Sequence, residues 1–459
     1  MIPWQKHLAC RALGLALVGA NGLAAQRAPE RFAEWSRRPF AVAEYAARRA
    51  ALLAATARAG GGIVLIPSGA GVSGGDSFRQ STGFLYATGL EVVRSVLWLD
   101  ADRAQVILFV PDRDPRWENA SRPNDFPGRT LGGDPAFRAF SGIDSVAPIE
   151  SLAPALGRAV VARRTVQLDL GGDAPPRVGV VPREGWTPER EMALALASEH
   201  PTLTVRDHHE IVAALRMIKS PAEVAAIAKA VDAAANAMRA VVPRARPGAT
   251  EWSLIGAYEA ECRRAGAQRM PFTPIIKSGP NALWPWRVLA SHYDRRARTL
   301  ARGDFVIFDV GCERDYYVSD IGRTFPVGDR FSPAQRRAVE LVTAVSDRII
   351  GAIRPGVTLL ELQRVALEAI PPEARAYMQT GSFFGHHIGL ESGDPSQLDA
   401  PLAAGMVFTV EPWYYNHDTG IAAFIEDNVV VTEEGVRVLS ATLPRSVAGL
   451  EAMKRGVRR

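Results

Sequence analysis

Five short apolar runs in the second half of the chain each carry one acid or histidine where burial would normally forbid it. Asp309 ends Phe305-Val306-Ile307-Phe308, Asp320 closes Tyr316-Tyr317-Val318-Ser319, and His386 stands in Phe383-Phe384-Gly385-His386-His387-Ile388-Gly389. Glu411 follows Met406-Val407-Phe408-Thr409-Val410, and Glu426 follows Ala422-Ala423-Phe424-Ile425. A carboxylate withdrawn from water among such residues is costly unless something cationic neutralises it. The chain must therefore fold so that these runs find basic partners or bring their charged ends to one compensated place. For Asp309 and Asp320 alone, a salt bridge to Arg323 or Arg314 would serve as well. A tight connection around Gly311 to Asp315 would pair their strands antiparallel and put both carboxylates on one face. Taken together, four acids and one imidazole suit two divalent ions of the manganese, cobalt or zinc kind, bridged by carboxylates. A structural zinc site would use thiolates and more imidazole.

At 459 residues the chain exceeds one ordinary core, and two folded domains of ~100–200 residues are expected. The first, residues 27–206, begins with a helical pattern from Ala41 to Ala59 that stops at Gly60-Gly61-Gly62. Strands are expected at Ile63 to Ile66, Val93 to Leu99 and Val106 to Val110, with the last ones near Ala159 to Leu170 and Leu203 to Val205. Pro115 to Asp134, rich in turn formers, reads as loop. The second domain, residues 211–443, follows a helical stretch opened by Arg206-Asp207-His208-His209-Glu210. It is marked by Ser220-Pro221-Ala222-Glu223, a Ser cap with Pro at the first helical position. Beyond it come a helix at Thr250 to Ala265, strands at Asp304 to Val310 and Tyr316 to Phe325, a helix from Ser332, and strands near Met406 and over Ile421 to Thr432. The fold class is α/β (α+β).

Other functions are disfavoured. The net charge of +5 is spread along the chain with no basic run interleaved with aromatics, so no nucleic-acid partner is expected. No segment offers the ~18 consecutive apolar residues of a span, so no membrane span is expected. Gly69 to Gly74 fits G-x-G-x-x-G, and Gly71 to Gly75 fits a nucleophile elbow, but Gly75-Asp76-Ser77-Phe78 does not open the helix both need. His208-His209-Glu210 lacks the i, i+4 histidine pair of a zinc helix. Residues 1–25 read as a signal peptide, because Lys6 and Arg11 precede an apolar stretch from Ala12 to Ala20 that runs into Gly22-Leu23-Ala24-Ala25. The mature protein is then expected to begin near Gln26 and to be periplasmic or extracellular. Cys262 and Cys312 remain, and the sequence leaves their pairing open.

Asp309-Val310-Gly311 with Asp320-Ile321-Gly322-Arg323-Thr324, Gly385-His386, Gly405 to Pro412 and Ile425-Glu426-Asp427 resemble the five metal-ligand motifs of the pita-bread metallopeptidases. That family includes Xaa-Pro aminopeptidase, prolidase and methionine aminopeptidase. The resemblance covers roughly residues 211–440 and implies that Asp309, Asp320, His386, Glu411 and Glu426 ligate two divalent ions, manganese first, cobalt or zinc otherwise. The stretch Phe78 to Gly89 and Leu108-Phe109-Val110-Pro111 resemble the N-terminal domain of aminopeptidase P, which methionine aminopeptidase lacks. The implied architecture is an N-terminal mixed-sheet domain followed by a C-terminal pita-bread domain. The implied activity is metal-dependent removal of the N-terminal residue from peptides with proline second. A prolidase-like dipeptidase, another C–N amide hydrolase on the same fold and a non-catalytic binding protein are the rivals. A peptide substrate and a homo-oligomer, dimer or tetramer, go with the resemblance.

Glu411 is expected to act as general base, since a ligand carboxylate beside the activated water is in proton reach. His292, in Ser291-His292-Tyr293, resembles the family's substrate-contacting histidine and would stabilise the intermediate. Three positions depart from the family pattern. Gly393 stands before Asp394 where a second histidine is usual, Phe424 where an arginine is common, and Gly83 where an acid is frequent. Gly393 and Phe424 are therefore expected to leave a roomier, less polar substrate wall, and His387, one residue along a strand, to point away from His386.

Overall fold

The structure, a computed structural model, describes residues 37–69, 78–111, 135–171, 187–284, 297–378 and 384–456. The segment 1–25, the loop expected at 115–134 and His292 lie outside the described residues.

The first half is built on one mixed sheet. Helix α1 (Val42–Arg58) precedes β1 (Ile63–Pro67), and α2 (Thr82–Thr88) precedes β2 (Val96–Asp100) and β3 (Gln105–Val110). There follow α3 (Pro135–Ser141), β4 (Ser145–Pro148), α4 (Leu152–Val161), β5 (Val166–Leu168), α5 (Pro188–Glu199) and β6 (Val205–Asp207). The strand order is β4-β3-β2-β1-β5-β6; β1, β2 and β3 pair antiparallel, and β4, β5 and β6 join parallel. β1 and β2 are buried at every position, which is why they read as unbroken apolar runs rather than alternating ones. The strands differ from expectation at two places. The segment from Ala159 to Leu170 is the end of α4, a turn with Arg163 at φ 51, and only then β5. The strand expected from Val93 starts at Val96, because Arg94 bends the chain at φ 52.

The second half begins with α6 (His209–Met217), α7 (Pro221–Val241) and α8 (Glu251–Arg264). α7 opens on the Ser cap expected, and the structure completes it as a capping box, with Glu223 N donating to Ser220 Oγ and Ser220 N to Glu223 Oε2. Strands β7 (Ile275–Ser278), β8 (Phe305–Val310), β9 (Glu313–Arg314), β10 (Tyr317–Val318) and β11 (Ile321–Pro326) come next, then α9 (Pro333–Ala352) and α10 (Leu359–Ala369). The chain closes with β12 (Val407–Val410), β13 (Trp413–Asn416), β14 (Ile421–Thr432), β15 (Gly435–Val438) and α11 (Val447–Lys454). The order β12-β14-β11-β8-β7 is antiparallel throughout, and the long β14 also pairs β13 and β15.

Tyr316 to Phe325 is not one strand. Residues 313–318 form their own two-stranded ribbon, turning at Asp315 and Tyr316 with φ 51 and 69, and Asp320 falls in the break before β11. Register then sets the site. Asp309 of β8 lies opposite Gly322 of β11, which lies opposite Glu426 of β14. Side chains abreast across a sheet share a face, so Asp309 and Glu426 project together across a residue that has no side chain.

The two halves meet through the motif that suggested the first domain. Arg79 donates to Glu313 Oε2 at 3.2 Å and to Leu390 O at 2.5 Å, while Thr82 Oγ1 donates to Glu391 Oε1 at 2.8 Å. From α6, Arg216 reaches Asp394 Oδ1 at 2.5 Å and Glu391 Oε2 at 2.9 Å. The first half thereby braces the segment carrying Gly393. No helix among the described residues is long and apolar enough to cross a membrane.

Candidate metal centre

Asp309, Asp320, His386, Glu411 and Glu426 line one cleft of about 620 Å³, together with Phe272, Thr273, Ile275, Ser392 and Gly393. One ligand atom from each of Asp320, His386 and Glu426 falls within 4.8 Å of the other two. His386 Nε2 stands 3.5 Å from both Asp320 Oδ2 and Glu411 Oε1. The His386 side chain is 37% exposed and that of Glu411 15%, against 7% for Asp320, so the cleft opens on the His386–Glu411 side.

Each side chain is positioned by a specific local feature. Asn428 clamps the backbone of Asp320 from both sides, its Oδ1 accepting from Asp320 N at 3.0 Å and its Nδ2 donating to Asp320 O. His386 is held against β12: its N donates to Thr409 Oγ1 at 2.9 Å, and Thr409 N donates to His386 O at 2.9 Å. That contact requires Gly385, since a Cβ there would lie 2.1 Å from Thr409 O. Glu411 accepts from Thr409 Oγ1 at Oε1 and from Trp413 Nε1 at Oε2, each at 3.1 Å.

The arginines that offered an alternative partner are engaged elsewhere. Arg323 is fully buried, donating to Asp427 Oδ1 at 2.6 Å and to the carbonyls of Gly322, Glu426 and Pro444. Arg314 reaches Ala265 O and Asp315. The acids of the cleft are thus left facing one another. Burial, reinforced by the neighbouring carboxylates, raises Asp309, Asp320 and Glu426 well above the ordinary range. Burial also raises Glu411, but His386 and the Trp413 and Thr409 hydrogen bonds pull against it. Asp320 Oδ1 and Glu426 Oε2 are buried without a hydrogen-bond partner. Unsatisfied acceptors on mutually repelling acids fit a divalent cation: hard oxygens with one imidazole could hold such ions here.

This predicts a pH dependence. A carboxyl raised in the folded, ion-free state holds its proton there more tightly than in the unfolded chain, so its contribution to stability is present at low pH and lost as pH rises through the folded value. Cations replace those protons. The increase in melting temperature on adding a divalent ion should therefore grow from about pH 5 to about pH 8, with proton release on binding. Calorimetry in buffers of different ionisation enthalpy checks it; a stabilisation that does not change with pH would contradict protonated acids.

The remaining residues singled out in the sequence fall in different places. Gly393 lines the cleft, and a Cβ there would meet nothing within 4 Å. Its neighbour Asp394 is buried; burial would raise its carboxyl, but Arg216 and Lys219 hold it below its ordinary value. His387 is buried against Phe408, its pKa pushed down to about 3 by burial and by Lys219. Phe424 is 1% exposed and stacked under Trp413, so it is not the pocket wall expected of it. A Cβ on Gly83 would approach Glu189 Oε1 at 3.4 Å, so α5 brings a carboxyl beside the position where the family often carries one. That buried group is pushed up to about 7. Cys262 and Cys312 are joined in a buried disulfide, with Cα atoms 5.9 Å apart, three residues past Asp309. Sequence reasoning missed Thr409 and Trp413. Alternation places residues 409, 411 and 413 on one face of an extended segment, which was the available signal.

Comparison with known proteins agrees with this geometry. Residues 225–433 match metallopeptidase family M24, and residues 45–167 match the aminopeptidase P N-terminal domain. An Xaa-Pro aminopeptidase of Haemophilus influenzae is 28% identical over 405 residues, covering 82% of this chain and 88% of that protein. An Xaa-Pro dipeptidase of Pyrococcus furiosus is 34% identical over 241 residues, 51% of this chain and 66% of its own length. The structure of Pseudomonas aeruginosa aminopeptidase PepP superposes with a TM-score of 0.74 at 26% identity, over 91% of this chain and 99% of that one. The chain belongs to metallopeptidase family M24, its pita-bread catalytic domain preceded by an aminopeptidase P N-terminal domain.

Proposed function

We propose that this protein is an exported aminopeptidase that removes the N-terminal residue from peptides with proline in second position, using two divalent ions, manganese by preference. The observation that carries the reading is the convergence of Asp309, Asp320, His386, Glu411 and Glu426 in one open cleft, beside a segment braced by the aminopeptidase P N-terminal domain. When bound, divalent ions supply Lewis acidity that polarises the scissile carbonyl and acidifies water. Manganese suits a set of oxygens with one imidazole, and cobalt or zinc would be accepted by the same donors. Glu411, at the exposed edge of the set, is placed to accept the proton released during attack and pass it to the leaving nitrogen. Phe272 and Ile275 give the cleft an apolar flank for substrate side chains.

Export rests on the pattern of residues 1–25 and is supported by the Cys262–Cys312 disulfide, a bond that persists in oxidising compartments. The family resemblance favours a homodimer or tetramer, which light scattering would measure. The Pyrococcus relative named as a dipeptidase favours one second reading, a prolidase-like enzyme acting on Xaa-Pro dipeptides.

The test is an assay of the purified, manganese-replenished protein on Xaa-Pro-Xaa peptides, their Xaa-Ala-Xaa counterparts and Xaa-Pro dipeptides. Release of the first amino acid from the proline peptides alone is expected. Cleavage confined to dipeptides would favour the prolidase reading, and cleavage of none would move the activity to a different amide.

A further inference from the structure

We propose that Trp413 is a positioning residue of the metal centre, its indole N–H fixing the carboxylate of Glu411. The inference rests on the reading of Glu411 as a metal ligand. A buried indole N–H must find an acceptor, and among the described contacts the acceptor here is a ligand oxygen, Glu411 Oε2, at 3.1 Å. Thr409 Oγ1 holds the other oxygen, Oε1, at 3.1 Å. Glu411 therefore has a partner on each oxygen, whereas Asp320 and Glu426 each keep a buried oxygen with none.

The indole is itself held flat. Trp413 of β13 lies directly opposite Phe424 of β14, and their rings stack at 3.5 Å with 22° between planes. Tyr415 stacks on the same indole at 5.4 Å and 14°. Beneath them Phe424 occupies the space over Gly322, where a Cβ would lie 1.9 Å from the phenyl ring. Gly322 is the residue between Asp309 and Glu426 in the sheet register. The column Gly322–Phe424–Trp413–Glu411 thus links the floor of the site to one of its ligands, through the position where the family commonly has an arginine. A phenylalanine at 413 would keep most of the stacking. What the indole adds is the N–H, and that N–H points at Glu411.

The test is calorimetric titration of the chelator-treated protein with manganese, for wild type, Trp413→Phe and Phe424→Leu, alongside steady-state kinetics and melting of the ion-free forms. Trp413→Phe should weaken manganese binding by about 10- to 100-fold, the range typical for removing a partner that orients a ligand. Its ion-free melting temperature should stay close to wild type, and kcat should fall while KM changes by less than about twofold. Phe424→Leu should weaken binding in the same direction by a smaller factor. Wild-type binding of manganese with unchanged affinity in Trp413→Phe overturns the proposal and leaves the metallopeptidase reading intact. Failure of the wild type to take up manganese overturns both. If Trp413→Phe does not fold, Phe424→Leu decides, and unchanged manganese affinity there overturns the proposal.

Discussion

Replacing Asp320 with Ala should abolish bound metal and activity together, and the ion-free variant should melt at or above the temperature of ion-free wild type. The first half follows from position. Asp320 offers a ligand atom within 4.8 Å of those of His386 and Glu426, and its Oδ1 has no other partner. Losing Lewis-acid assistance worth several kcal/mol corresponds to a fall of at least about 10³-fold in kcat/KM. The second half follows from electrostatics. Burial, reinforced by the neighbouring acids, raises Asp320, so without a cation its removal relieves the cost of burying an acid among acids instead of breaking a favourable ion pair. Glu411→Ala should lose activity to the same degree but should not gain ion-free stability, because the Trp413 N–H and the Thr409 hydroxyl lose their acceptor. Elemental analysis, steady-state kinetics and melting after chelator treatment measure all of this. Activity persisting in both variants would place the centre elsewhere.

The same electrostatics explains why so much of the site was legible in the sequence. A carboxylate ending a run such as Phe305 to Phe308 is an anomaly that burial alone cannot tolerate, and each of the five candidate ligands that line the cleft stands out in the sequence in this way. Arg323 and Arg314 were indistinguishable as partners in the sequence, because strand alternation fixes which face a residue takes only once the register is known. The register places Arg323 with Asp427 on the face away from Asp309.

What escaped has no charge to betray it. Thr409 and Trp413 look like ordinary strand residues, and their importance comes from facing Glu411 after the chain passes Pro412. Phe424 was expected at the substrate wall, and its burial depends on a neighbouring strand laying Trp413 over it, which the sequence of β14 alone does not show. The break at Asp320 was hidden for a related reason. Tyr316 to Phe325 has the composition of a continuous strand, and only the competing β9–β10 ribbon and the Asn428 clamp interrupt it. The disulfide spans a sequence separation of 50, beyond anything local pattern can decide.

Gly393→His should raise kcat/KM on Xaa-Pro-Xaa peptides, and wild type should favour these over Xaa-Pro dipeptides. The family resemblance puts a histidine at this position, where it would offer a polar contact to the substrate. A contact made in the transition state is worth on the order of 2–4 kcal/mol, or ~30- to 1,000-fold in rate. Gly393 leaves that contact unmade, and the buried Phe424 supplies none in its place. Free dipeptides, which need their carboxylate held, should suffer most, while longer peptides regain binding energy from additional residues. The geometry permits the reversal. A side chain at 393 enters open space at the cleft wall, and the position needs no positive φ, so histidine can be accommodated without strain. Asp394 beside it is committed to Arg216 and Lys219 and would not orient the new imidazole, so only part of the lost energy should return, about tenfold. The increase should appear mainly in kcat. Comparing kcat/KM for matched dipeptides and tripeptides in wild type and Gly393→His measures both effects. A wild-type preference for the dipeptide would identify a prolidase, and an unaltered rate in the variant would remove position 393 from the substrate's path.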